Sequence, residues 1–223
     1  MSDHLHSGSP LSHSLLSREV ASFIRQEIVG GRLRPDERLV EASFAERLKI
    51  SKSPVREALR ILEGEGLVVS YPHRGSFVVQ LDTHDLWELD SLRSLVEPFA
   101  AQLAANNIDA DGIKALEDLV AAMGSTADEL SLSELHTKFH KSLALYSGHK
   151  RIIEIVNGLW SKMDLLLTLT HFGYLGKDQV QNDHRALLEA IKEKDSAKIR
   201  SRFEEHLNRT LPGLMDALRQ KQV

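Results

Sequence analysis

The chain has 223 residues, with 28 Lys and Arg against 32 Asp and Glu, a net charge of −4, and 42% hydrophobic residues. That is the make-up of a soluble globular protein, long enough for two ordinary domains. Cysteine is absent, which excludes a disulfide framework, a thiolate metal site and a cysteine nucleophile, and no apolar run reaches the roughly 18 residues that cross a bilayer.

The first residues, Met1 to Gly8, are polar and lack the apolar core of a signal peptide. A disordered tail over residues 1–14 and a cytoplasmic location are the expectations. Leu16, Val20, Phe23, Ile24 and Ile28 then mark an amphipathic helix, which Gly30-Gly31 ends because glycine suits a left-handed C-cap. A polar turn, Arg32 to Glu37, leads into a short strand at Arg38-Leu39-Val40, and Phe44, Ala45 and Leu48 suggest a second, short helix.

The third helix carries the most information. Val55, Ala58, Leu59 and Leu62 repeat at i, i+3, i+4 and i+7, one apolar face. Lys52, Arg56 and Arg60, four apart, form a basic stripe on another face. Ser51 or Ser53 is placed to cap its start, where Pro54 is tolerated. Between Arg47 and Arg60 stand five cations and one acid, so a local patch supplies phosphate contacts although the whole chain is acidic. Two β-rich runs follow, Leu67 to Tyr71 and Ser76 to Val79, flanking Pro72-His73-Arg74-Gly75 as a hairpin. A helix-turn-helix followed by a basic-tipped hairpin is a winged helix.

From Asp82 onward the pattern is helical only. Leu89, Val96, Ala100 and Leu103 stripe a helix that Asn106-Asn107 ends. Further helices are expected over about 110–123, 129–147, 149–171, 178–193 and 195–219, with Gly148, Gly173, Gly176 and Asp195 at the joints. The fold class is therefore mainly α, a winged helix-turn-helix over 15–80 and an all-α bundle over 81–223.

Polar residues interrupt the inward stripes of this bundle. His136 and His140 lie one turn apart beside Leu132, Phe139 and Leu143, a spacing that lets two imidazoles converge on one ion. His184 falls among Val180, Leu187 and Leu188, and His206 among Phe203, Leu207 and Thr210. A single histidine on an apolar face is ordinarily a hydrogen-bonded core residue, but several on three inward faces suggest a shared site, because buried imidazoles need partners. Arg93 stands in the register of Leu89 and Ala100. It either pairs with Glu97 at i+4 or aims a guanidinium into a polar cavity to hold a carboxylate.

Arg32-Leu33-Arg34-Pro35, Leu39-Val40-Glu41, Ser51 to Leu59, Glu65-Gly66-Leu67 and Arg74-Gly75-Ser76-Phe77-Val78 together resemble the winged helix of the GntR family of transcription regulators. The resemblance implies that Arg32, Ser51, Lys52, Ser53 and Arg56 meet operator DNA, with His73, Arg74 and Gly75 at the wing tip. Lys52 stands where the family commonly has arginine, so the guanidinium fork that pairs bidentately with guanine is absent there, while lysine can still bind phosphate or a single base acceptor. The second half, from Leu92-Arg93 to Pro98 and through Phe139-His140, Asp183-His184 and Glu205-His206, is similar to the FCD domain of the FadR branch. Members that bind metal use an aspartate and three histidines, matching His136, His140, His184 and His206, with histidine replacing the aspartate. The usual asparagine after Ser-Gly is His149 here. The implied protein is a homodimeric repressor of double-stranded operator DNA, answering to a small carboxylate held by Arg93 and a divalent ion. Zinc or nickel suits imidazole donors. A metal-dependent hydrolase and a regulator whose helical domain only dimerises are the alternatives; no HExxH motif, nucleophile–base pair or phosphate loop supports the enzyme.

Overall fold

The computed structural model describes residues 10–170 and 176–221, and the chain divides between Gln80 and Leu81 into two compact units. The expected joint at Gly173 lies outside the described residues, as does the first part of the expected tail.

The first unit runs α1 (Pro10–Val29), β1 (Arg38–Leu39), α2 (Glu41–Leu48), α3 (Lys52–Gly64), β2 (Val68–Tyr71) and β3 (Gly75–Val78). Helix α1 begins within the stretch expected to be tail: residues 10–14 are helical. Pro10 fits there because a proline in the first turn forfeits no helical bond. Val20, Ile24 and Ile28 of α1 meet Val55, Leu59 and Leu62 of α3, all nearly inaccessible. Gly31 takes φ +69° and closes the end of α1, its amide donating to the Ile28 carbonyl. Arg25 reaches from α1 to Glu65 with two bonds, 2.8 and 2.5 Å.

Between α2 and α3 the turn passes through Lys49 in the left-handed region, φ 56°. Ser51 takes the extended N-cap backbone of α3 yet makes no side-chain cap bond, so the expected cap is not formed. The three strands make an antiparallel sheet in the order β1-β3-β2, with Arg38 opposite Phe77 and Ser70 opposite Ser76. Leu39, Leu67, Val68 and Val78 close its inner side.

The second unit holds α4 (Thr83–Asn107), α5 (Ala110–Ser125), α6 (Glu129–Tyr146), α7 (Lys150–Thr170), α8 (Lys177–Lys192) and α9 (Ser196–Lys221). Aspartates start four of them. Asp82 and Asp85 form a capping box on α4, Asp109 and Asp128 accept first-turn amides of α5 and α6, and Asp195 accepts from Ala197 and Lys198. Helix α4 packs against α6, α7 and α9, and α8 against α5 and α9. The buried register of α4 runs through Leu86, Leu89, Arg93, Glu97, Ala100 and Ala104. Val96 and Leu103, expected on that stripe, are only half-buried. The shift of one position brings Glu97 inside with Arg93.

Candidate nucleic-acid interface and metal centre

All eight residues singled out for DNA stand exposed on the first unit. In α3 the apolar positions Val55, Ala58, Leu59 and Leu62 face the core, and Lys52, Arg56 and Arg60 face outward. A helix with its apolar face fixed on α1 presents its other side and its N-terminal hydroxyls and amides to the surroundings, the arrangement a major groove requires. Two acids that sequence reasoning assigned no role hold the cations here. Arg56 donates from Nε and Nη2 to the two oxygens of Glu41, each at 2.9 Å. That bond, with the charge of Arg56, holds the Glu41 carboxyl below its ordinary range against the effect of burial. Arg32 Nε lies 2.7 Å from one oxygen of Glu27, and Arg47 Nη1 lies 3.1 Å from the other. Glu27 is buried, and the Arg32 bond outweighs desolvation to keep its carboxyl low. Lys52 makes no ion pair among the described residues.

The wing tip is a three-residue turn between Tyr71 and Gly75, with Arg74 N–H donating to Tyr71 O at 3.1 Å. Pro72 stands at the second position and His73 at the third with φ 62°, the sign of a type II turn. Gly75, at φ 98°, has Arg38 Nε only 3.3 Å from where a Cβ would stand. The Arg74 guanidinium lies 5.5 Å from the Tyr71 ring centre, which stiffens a cation at the tip.

In the second unit the structure brings His136, His140, His184 and His206 together from α6, α8 and α9. All four are buried, and one nitrogen of each lies within 4.8 Å of the others. Four nitrogens set tetrahedrally on one zinc ion, each about 2.0–2.1 Å away, stand ~3.4 Å apart, so the longest of these separations must shorten by at most ~1.4 Å to close the set. Among the described residues no carboxylate joins the group. Orientation fits as well. His184 Nδ1 lies 2.7 Å from Val180 O, so Nδ1 carries the proton and the Nε2 lone pair is left for a ligand bond. His184 Nε2 lies 3.2 Å from His140 Nε2. Neither ring nitrogen of buried His206 has a hydrogen-bond partner, a loss of about 1–3 kcal/mol for such a group that a bound ion removes. The donor set therefore fits a divalent ion.

Burial is the main reason these rings are neutral. Desolvation lowers His140, takes His184 down to about 3 with the help of His140, and puts His136 and His206 well below the ordinary histidine value. Neutral imidazole is the form that binds metal.

Arg93 resolves largely to the pairing alternative. Its Nε lies 2.8 Å from Glu97 Oε1 and its Nη1 3.7 Å from Asp90 Oδ1, with the guanidinium 4.5 Å from the Trp160 ring centre. Nη2 alone is left buried without a partner. Glu97 also accepts from Trp160 Nε1 at 2.8 Å, and its other oxygen is 2.8 Å from His140 Nδ1. Burial would raise the Glu97 carboxyl, but Arg93 and His140 outweigh it and hold it at about 2. The i+4 spacing from Arg93 was the one sequence signal for Glu97; nothing in the sequence pointed to Trp160. His149, the other departure, accepts from the Ile152 amide at 3.3 Å and so caps the start of α7.

A winged helix with an exposed basic recognition helix, joined to a helical domain with a buried polyhistidine site, defines a transcription regulator with two domains. The comparisons with known proteins agree. The model of the bacterial regulatory proteins of the gntR family matches residues 16–78, and that of the FCD domain matches residues 88–209. The chain belongs to the GntR family, and its FCD domain is consistent with the FadR subfamily. It is similar to the gluconate operon transcriptional repressor of Bacillus licheniformis, 28% identical with 83% of this chain and 79% of the relative covered. It is also similar to the HTH-type transcriptional regulator McbR of Escherichia coli (strain K12), 25% identical over 83% and 86% of the two chains. The solved structure of E. coli McbR/YncC has the same fold, with a TM-score of 0.77 at 22% identity over 90% of this chain and 97% of that one. The relatives are regulators, so the hydrolase reading is set aside. No described helix is long and apolar enough to cross a membrane.

Proposed function

We propose that this regulator is a cytoplasmic, homodimeric repressor whose hold on operator DNA is set by a small carboxylate effector bound at a divalent-metal site. The convergence of four buried, neutral histidines on one point supports the reading. His136, His140, His184 and His206 would hold the ion, with zinc or nickel favoured by an all-imidazole donor set. When bound, the ion supplies a positive charge that the four neutral rings leave uncompensated, and so attracts an anion. Arg93 offers Nη2, its one unpartnered nitrogen, to the same carboxylate. In the first unit Ser51, Lys52, Ser53 and Arg56 would meet base edges and phosphates of one half-site. Arg32 and the wing residues His73, Arg74 and Gly75 would meet flanking backbone or the neighbouring groove.

The effector acts by binding one of two states more tightly, DNA-competent or DNA-incompetent. Tenfold release needs about 1.4 kcal/mol of differential affinity. Gel-shift titration on the DNA upstream of the protein's own gene, with zinc-loaded protein and a panel of small carboxylic acids, tests this. Specific binding relieved by one acid is the expected result. Specific binding that no metal or acid alters would leave a regulator whose helical domain only dimerises.

A further inference from the structure

We propose that Glu97 is a positioning residue of the histidine centre, acting through His140. This rests on the metal reading above and gives the centre an acid in place of the one its ligand set lacks. The four rings bring no negative charge of their own, and among the described residues no carboxylate stands among them as a donor. Glu97 stands one step behind. Its Oε2 lies at ion-pair distance, 2.8 Å, from His140 Nδ1, though out of line for a hydrogen bond as the ring stands, and His140 Nε2 lies 3.2 Å from His184 Nε2. An anion at Nδ1 keeps the ring proton there and leaves the Nε2 lone pair facing the other rings. The same division of labour holds His184, whose Nδ1 meets Val180 O. A backbone carbonyl fixes one ring and a carboxylate fixes the other. The carboxylate adds what the carbonyl cannot, a full negative charge within one ring of the ion.

Glu97 is itself held rigidly. Arg93 Nε and Trp160 Nε1 both donate to its Oε1 at 2.8 Å, which leaves Oε2 for His140. The Trp160 ring stacks on His140 with centres 4.6 Å apart, limiting rotation of the imidazole. Arg93 thus has a function in the centre besides its proposed contact with the effector, because it fixes the carboxylate that orients His140.

The test is a zinc titration of the full-length protein against a chromophoric chelator. Glu97→Gln is expected to raise the zinc Kd about ten- to a hundredfold, the usual cost of removing such a partner. In a His140→Ala background the same substitution should change Kd less than twofold, since its route to the ion is gone. Glu97→Asp keeps the charge beside Arg93 but withdraws the oxygen from His140, and so covers the case in which Glu97→Gln does not fold; it too should weaken zinc at least tenfold. Zinc affinity within twofold of wild type in the variants that fold, or an equal loss with and without His140, would overturn the proposal. If the wild type takes up neither zinc nor nickel, the metal reading fails, and ring 15N spectra of the metal-free protein still decide this one. His140 protonated at Nδ1 in wild type and redistributed toward Nε2 in Glu97→Asp supports it; a wild-type ring protonated at Nε2 sinks it.

Discussion

Arg93 and Glu97 are each about as inaccessible as the leucines around them, at 1% and 3% exposure. A charge removed from water this completely is tolerable only because its partner is equally buried and well aligned. Replacing Arg93 with methionine leaves Glu97 uncompensated, and the expected loss is about 3–5 kcal/mol in urea unfolding. Replacing both together, Arg93→Met with Glu97→Leu, should recover most of it; a double variant as unstable as the single would contradict the pairing. Glu41 and Arg56 form the opposite case, a largely exposed pair on the side proposed to meet DNA. Glu41→Ala should leave the melting temperature within a degree or two, since such pairs add little. Its effect belongs in DNA binding: the removed negative charge should tighten binding to random duplex, while the freed Arg56 lowers the ratio of specific to non-specific affinity. Equal ratios at matched salt would argue against any role for Glu41 at the interface.

At the level of elements, α3 is a helix whose two sides serve different partners. Leu62 is fully buried between α3 and α1, and a small unit of this kind has little stability to spare. Leu62→Ala is expected to cost about 2–5 kcal/mol and to abolish specific DNA binding at 37 °C. Zinc uptake by the same variant should match wild type, because α6, α8 and α9 carry that site; loss of both together would argue that the two units do not fold separately. Most element boundaries were legible from apolar spacing, glycines and capping aspartates. The start of α1 was not, because Pro10 among serines and histidines reads as tail. The buried register of α4 was missed by one position, because Val96 and Leu103 are as apolar as true core residues. Only the packing of α6, α7 and α9 around α4 picks out the face holding Arg93 and Glu97.

For the whole molecule, acid and the proposed metal are expected to act on stability through the same four rings. Each has a folded pKa below the ordinary histidine value, so between that value and the folded one the unfolded chain binds protons that the folded chain refuses. Stability of the metal-free protein is therefore full above about pH 6.5 and falls on acidification toward about 3, where His184 titrates. Glu97, held at about 2, adds a further loss below the ordinary glutamate value of 4.5. Urea midpoints should drop steadily from pH 7 to pH 5 in chelator; a midpoint that rises instead would mean the rings are charged in the folded state. Zinc at the proposed site would act the other way, since it would bind only the folded arrangement. Free zinc at a hundred times its Kd should add about 2.7 kcal/mol at pH 7, read as a higher melting temperature, and His184→Ala should remove most of that gain.

The sequence by itself determined the order of elements, the winged helix with its basic recognition face, and four histidines on inward stripes, because these depend on spacing along single elements and on turn residues. It also carried the family resemblance, since the winged-helix motif lies within a few dozen consecutive residues. Only the tertiary structure decided that the four histidines meet, that Arg93 turns to Glu97, and that Glu97 and Trp160 stand behind His140. Those facts depend on which faces of α4, α6, α7, α8 and α9 pack together, and no periodicity within one helix encodes a distance to another. Likewise the ties from Glu27 to Arg32 and Arg47, and from Glu41 to Arg56, arise where α1, α2 and α3 converge.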